Sequence, residues 1–154
     1  MLRTSGEQPS EPGTQTSRLL TYDIESRSRR DGDTDRNAAP SGRTQGGLPP
    51  RIVRRIREYI DDNIDQRITL DALAKLANLS VSYFVRAFKQ SMGLTPHDYL
   101  MRRRVQLTIQ LLSQTDMPLS EIAHAAGFFD QSHCSRRFRQ YVGMSPRDYR
   151  WLTP

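Results

Sequence analysis

Arg86 and Arg136 stand at matched places in two near-copies of one segment. Residues 86–99 read Arg-Ala-Phe-Lys-Gln-Ser-Met-Gly-Leu-Thr-Pro-His-Asp-Tyr. Residues 136–149 read Arg-Arg-Phe-Arg-Gln-Tyr-Val-Gly-Met-Ser-Pro-Arg-Asp-Tyr. A guanidinium is a planar fork of donors that fits a carboxylate, a phosphate or the O6/N7 edge of guanine. Ser82, Val85 and Arg86 fall at i, i+3 and i+4, so they share the helix face opposite Phe84 and Phe88. Val85 there suits a thymine methyl. In the second copy Gln131, Ser132, His133 and Arg136 are the outward residues. Either set alone would pass for an ordinary solvated face, but two copies with arginine at the same place favour base reading. Lys89, Gln90, Arg137, Arg139 and Arg147, with backbone N–H groups at helix starts, are the candidate phosphate contacts.

Other chemistry lacks its residues. His97, His124, His133 and Cys134 show no metal-ligand spacing, and the adjacent His133 and Cys134 point about 100° apart on a helix. There is no nucleophile–base pairing and no glycine-rich phosphate loop, so neither an enzyme nor a cofactor is expected. Cys134, the single cysteine, reads as a buried filler rather than a redox sensor. Arg102, Arg103 and Arg104 point three ways around a helix. At most one or two of them can face DNA, and Arg104 is a candidate for a structural ion pair.

Short helices must position these side chains. After Leu48-Pro49-Pro50, an apolar stripe of Ile52, Ile56, Tyr59, Ile60 and Ile64 predicts a first helix ending near Asn63. Thr69 caps a second, with Leu70, Leu73, Ala74 and Ala77 inward. Asn78-Leu79-Ser80 forms a turn, with Asn78 suited to the left-handed conformation. Ser80 caps a third helix with Phe84, Ala87, Phe88 and Ser91 inward, and Gly93 stops it. Thr95-Pro96 starts a long fourth helix to about Ser113, roughly 28 Å in length. Its inward face is expected to hold Tyr99, Leu100, Val105, Leu107, Leu111 and Leu112. Leu119-Ser-Glu-Ile-Ala123 then repeats Leu70-Asp-Ala-Leu-Ala74. Gly127 makes the second turn. A sixth helix from Asp130 or Gln131 buries Cys134, Phe138 and Tyr141 or Val142, and Gly143 ends it. Ser145-Pro146 begins a short last helix through Trp151. The chain is thus all-α, with two helix-turn-helix units in tandem, at about residues 69–91 and 118–142. That pattern points at double-stranded DNA.

Charge agrees. The chain carries 23 basic and 17 acidic residues, a formal net charge of +6. The seven basic and seven acidic residues through Gly47 cancel, so the whole excess lies in residues 48–154. A basic domain favours a polyanionic partner. Residues 1–47 are rich in Ser, Thr, Gly, Pro, Arg and Asp, with only Leu19, Leu20, Tyr22 and Ile24 clustered as apolar residues. They read as a disordered, dispensable tail. No apolar run reaches a membrane span and no signal-peptide core opens the chain, so a soluble, cytoplasmic protein is expected.

Residues 48–152 resemble the DNA-binding domain of the AraC/XylS family of bacterial transcription regulators. The signature runs Ile122-Ala123, Gly127-Phe128, Asp130 through Arg136, Phe138-Arg139, Gly143-Met144-Ser145-Pro146 and Tyr149-Arg150. The resemblance implies seven helices, with two helix-turn-helix lobes joined by a long central helix. It implies that both reading helices enter successive major grooves of promoter DNA, and that the protein activates transcription by contacting RNA polymerase. The chain departs from the family pattern in three ways. Cys134 stands where a bulky aromatic is usual, which predicts a looser core under the second reading helix. Thr108 replaces a usual alanine. Residues 1–47 do not read as the usual N-terminal effector and dimerisation domain, which implies a resemblance to the family's short stand-alone regulators, expected to act as monomers; a truncated or degenerate full-length regulator is the alternative. The rival reading is a helical protein–protein adaptor that uses the lobes only as scaffold, and salt-dependent binding to promoter DNA separates the two.

Overall fold

The computed structural model describes residues 46–153, and every described regular element is an α-helix. The expected tail lies outside the described residues apart from Gly46 and Gly47. The helices are α1 (Pro50–Asp62), α2 (Leu70–Leu76), α3 (Val81–Met92), α4 (Pro96–Gln114), α5 (Leu119–Ala125), α6 (Gln131–Val142) and α7 (Pro146–Leu152). α1 packs on α2, α2 on α3, and α3 on α4. α4 then carries α5, α6 and α7. The fold is therefore two helix-turn-helix lobes sharing one central helix.

Local chemistry sets most boundaries. Thr69 and Ser80 accept from the N–H groups of Ala72 and Tyr83 at the starts of α2 and α3. Thr95 Oγ1 accepts from Asp98 N–H at 3.2 Å and donates to Asp98 Oδ2 at 2.7 Å. Ser145 and Asp148 repeat this at 3.1 and 2.6 Å. These reciprocal caps, each followed by a proline at the first helical position, start α4 and α7. Gly93 and Gly143 end α3 and α6 at φ 73° and 88°.

The two turns are the same object built twice. After α2, the Asn78 and Leu79 N–H groups donate to the Lys75 and Ala74 carbonyls, both at 3.0 Å. After α5, the Gly127 and Phe128 N–H groups donate to the His124 and Ala123 carbonyls, both at 2.9 Å. Each pair satisfies carbonyls that a helix end leaves orphaned, and needs a left-handed residue at its hinge. That residue is Asn78 at φ 55° in the first lobe and Gly127 at φ 76° in the second. The aromatic wedges repeat too. Phe88 meets Tyr99 edge-on at 5.8 Å, and Phe138 meets Tyr149 edge-on at 5.5 Å.

The inward faces differ from expectation chiefly in α4. Leu107 and Leu111 are only half-buried, whereas Met101, Arg104 and Thr108 are buried. A helix that serves two lobes is covered on more than one side, so a single-stripe reading misplaces its core. Leu70, read as inward, is 39% exposed at the first position of α2. Ser91 is exposed overall, but its hydroxyl accepts from Leu48 N–H at 2.7 Å and fixes the chain entering α1. Val142, not Tyr141, is the buried one of that pair.

The two departures in side-chain size meet. Cys134 and Thr108 are both fully buried, and Thr108 Oγ1 lies 3.9 Å from Cys134 Sγ. The extra bulk on α4 stands against the missing bulk on α6, so the site is shared rather than simply underfilled. Cys134→Phe alone is expected to cost about 1–3 kcal/mol through overpacking. Adding Thr108→Ala should return part of that loss. Thermal unfolding of both single variants and the double variant checks this. If the two changes act independently, the compensation is wrong.

Candidate nucleic-acid interface

α3 and α6 each begin at a polar cap and turn one polar face outward. Ser80 accepts from Tyr83 N–H at 3.4 Å, and Asp130 accepts from His133 N–H at 2.6 Å. Counting from these caps puts Ser82 beside Ser132, Arg86 beside Arg136, Lys89 beside Arg139 and Gln90 beside Gln140. All eight are exposed. The inward residues match as well, Phe84 with Cys134 and Phe88 with Phe138, and all four are buried. The lobes therefore present equivalent faces, with an arginine at the same depth on each.

The individual side chains are placed as follows. Val85 is half-buried, and Gln131 is exposed at the start of α6. The Arg86 guanidinium carbon lies 5.9 Å from the centre of the Tyr83 ring, which lends the arginine a cation–π neighbour. His133 is half-buried, with its ring edge-on to Phe128 at 5.4 Å. Burial, then Arg137 and Arg136, push the His133 imidazole below its ordinary range, while Asp130 opposes them. A neutral imidazole can donate or accept toward a base edge. Arg137 is half-buried and donates to Gln140 Oε1 at 3.0 Å. Arg139 and Arg147 are exposed. Arg147 lines a groove of about 210 Å³ together with Gln131, Arg150 and Trp151, beside the start of α6. Gln90 is exposed, but its carboxamide lies against Gly46, where a Cβ would stand 2.5 Å from Oε1.

The arginine triplet splits apart. Arg103 reaches Asp61 on α1 at 2.8 Å and Gln106 at 2.8 Å. Among the described residues Arg104 has its bonds on backbone oxygens rather than in the expected ion pair, with Asp65 near enough to favour its charged form. It bonds the backbone carbonyls of Ile64 and Gln66 because its side chain turns into the fold and meets the loop after α1. The Cys134 thiol is pushed up by burial, with the Thr108 hydroxyl opposing, which suits a filler.

Two exposed aromatics escaped the sequence reading. Tyr83 stands one position before Phe84 on the outward side of α3. Phe129 is 91% exposed in the second turn. It is the one residue by which that turn exceeds the first, since Leu79 abuts Ser80 whereas Phe128 and Asp130 are separated. Aligning the two turns on their caps is the signal that finds it. Among the described residues, no group of three His, Cys, Asp or Glu could hold a metal ion, and no helix is long and apolar enough to cross a membrane.

Known proteins share this arrangement. A helix-turn-helix domain family matches residues 73–151. A transcriptional regulator from Chromobacterium violaceum, described as AraC-type DNA-binding domain-containing, superposes with a TM-score of 0.62 at 27% identity. It covers 67% of this chain and 92% of that one. The chain belongs to the AraC/XylS family. The family and the fold are those of DNA-binding transcription regulators. The probable transcriptional regulator LumQ of Photobacterium leiognathi is 40% identical over 97 residues, which is 63% of this chain and 39% of LumQ. This AraC/XylS chain thus spans less than half the length of that relative. The DNA-binding domain of AdpA, solved in complex with a target DNA, superposes with a TM-score of 0.63 at 26% identity. It covers 65% of this chain and 90% of that one.

Proposed function

We propose that the chain is a sequence-specific, double-stranded DNA-binding transcription regulator that binds as a monomer. α3 and α6 enter successive major grooves on one DNA face. Ser82, Val85 and Arg86 read one half of the site, and Gln131, Ser132, His133 and Arg136 read the other. Lys89, Gln90, Arg137, Arg139 and Arg147 contact phosphates. The carrying observation is the matched pair of exposed faces behind turns with the same hydrogen-bond pattern, each with its arginine at the same place. The +6 formal charge of the same region favours a polyanion, and the similar AdpA domain was solved on a target DNA. Family resemblance supports activation through contact with RNA polymerase, at work in the cytoplasm on the bacterial nucleoid.

Tandem lobes in one chain need no two-fold axis. The expected site is therefore asymmetric, with half-elements about one helical turn, ~34 Å, apart. Footprinting together with the mass of the complex tests this. One chain per non-palindromic site is expected, and a strict palindrome holding two chains would overturn it. Binding should also weaken steeply with salt as phosphate contacts are lost. An adaptor would show no salt-dependent affinity for DNA.

A further inference from the structure

Arg104 is a buried cation that the reading of DNA does not use. Its side chain leaves the middle of α4 and is 8% exposed. Nε donates to the Ile64 carbonyl at 3.2 Å, and Nη2 donates to the Gln66 carbonyl at 2.8 Å. Both carbonyls belong to the loop between α1 and α2, in the first lobe. The other side of the same contact is the hinge of the second turn. A Cβ at position 127 would lie 2.9 Å from both Nε and Nη2, and 2.1 Å from the Ile64 oxygen. Gly127 is thus pressed against the guanidinium and against the first lobe's loop. One turn further along α4, Thr108 Oγ1 donates to the Arg104 backbone carbonyl at 2.9 Å, and Thr108 touches Cys134 on α6. From the central helix, one side chain therefore meets the loop of the first lobe and the turn of the second.

We propose that Arg104 is a positioning residue that locks the angle between the two lobes and so sets the half-site spacing the protein accepts. The inference rests on the reading of α3 and α6 as the two DNA-reading helices. A planar guanidinium making two charge-assisted bonds in fixed directions resists rotation of the loop about α4. Lysine keeps the charge but offers a single, freely turning ammonium. DNA sets the tolerance. One inserted base pair moves a half-element by about 3.4 Å and turns it by about 34°. A locked pair of lobes rejects that shift, whereas a rocking pair absorbs it.

The test has one arm without DNA and one with it. In the first, spin labels are placed on the exposed surfaces of the two lobes through Glu58→Cys and Glu121→Cys. The native Cys134 is buried and shielded from the label. The wild-type background should give one narrow distance distribution. Arg104→Lys and Arg104→Met should broaden or shift it while helical content stays unchanged. In the second arm, wild type should lose about tenfold or more in affinity when one base pair is added or removed between half-elements, comparable to a mismatch in a specific site. The variants should lose much less, with the base preference inside each half-element intact.

Wild-type distances and wild-type spacing preference in folded variants would overturn the proposal. A uniform loss of affinity at every spacing would do so too, and so would loss of helical content in Arg104→Lys, because each marks a merely structural role. If wild type selects no bipartite site at all, the DNA reading itself has failed, and the label distances still decide whether Arg104 locks the lobes.

Discussion

Gly127→Ala destabilises the protein by roughly 2–5 kcal/mol, whereas Gly143→Ala costs about 1–2 kcal/mol. Both glycines hold positive φ, 76° and 88°, and a left-handed non-glycine residue costs about 1–2 kcal/mol by itself. Nothing lies within 4 Å of a Cβ at position 143, so conformation is the whole cost there. At position 127 the new methyl would sit 2.1 Å from a backbone oxygen and 2.9 Å from a buried guanidinium. Neither can withdraw without breaking the Arg104 contacts, which adds an overpacking cost of about 1–3 kcal/mol. Asparagine separates the two causes. It occupies the equivalent hinge at Asn78, so Gly127→Asn relieves the conformational cost and leaves the clash. Denaturant unfolding of the three variants checks the order. Equal losses at positions 127 and 143 would show that the loop yields and that the close approach carries no energy.

Arg86→Ala and Arg136→Ala should each weaken specific binding by about 1–3 kcal/mol and relax the preference at one base position. The two arginines lie on separate lobes, so the double variant should lose about the sum. Lys89→Ala and Arg139→Ala should behave differently. Phosphate contacts carry no sequence information, so affinity falls uniformly and the salt slope shrinks by about one for each. Selection from random DNA, followed by titration at several salt concentrations, reads both quantities. If both arginine variants keep the wild-type sequence preference, the base-reading assignment is wrong. Arg86 differs from Arg136 in having the Tyr83 ring beside it. Tyr83→Ala should therefore weaken the Arg86 contact by about 0.5–1 kcal/mol and leave the second half-site untouched.

The caps, turns and apolar stripes of the short helices were legible in the sequence. Thr69, Ser80, Thr95, Asp130 and Ser145 each accept from the N–H group three positions on, and Asn78 and Gly127 each supply one left-handed hinge. These are contacts within a few residues, so residue type and spacing suffice to predict them. The tandem repeat was equally plain, and with it the matching of Arg86 to Arg136.

What lay beyond the sequence was everything that joins distant segments. The Arg104 bonds to the α1–α2 loop span 38 and 40 residues, and the Thr108–Cys134 contact spans 26. An arginine on an amphipathic helix has no local mark of burial. Its guanidinium goes inward only because two carbonyls of the α1–α2 loop arrive there to accept from it. Glycine at position 127 could be predicted from φ alone, but asparagine serves that need at position 78. Only the packing of one lobe's loop against the other lobe's turn leaves no room for a Cβ at the second hinge. The sequence by itself determined two helix-turn-helix units of one design. The tertiary structure decided how they are held against each other, because that depends on which backbone oxygens end up facing one buried cation.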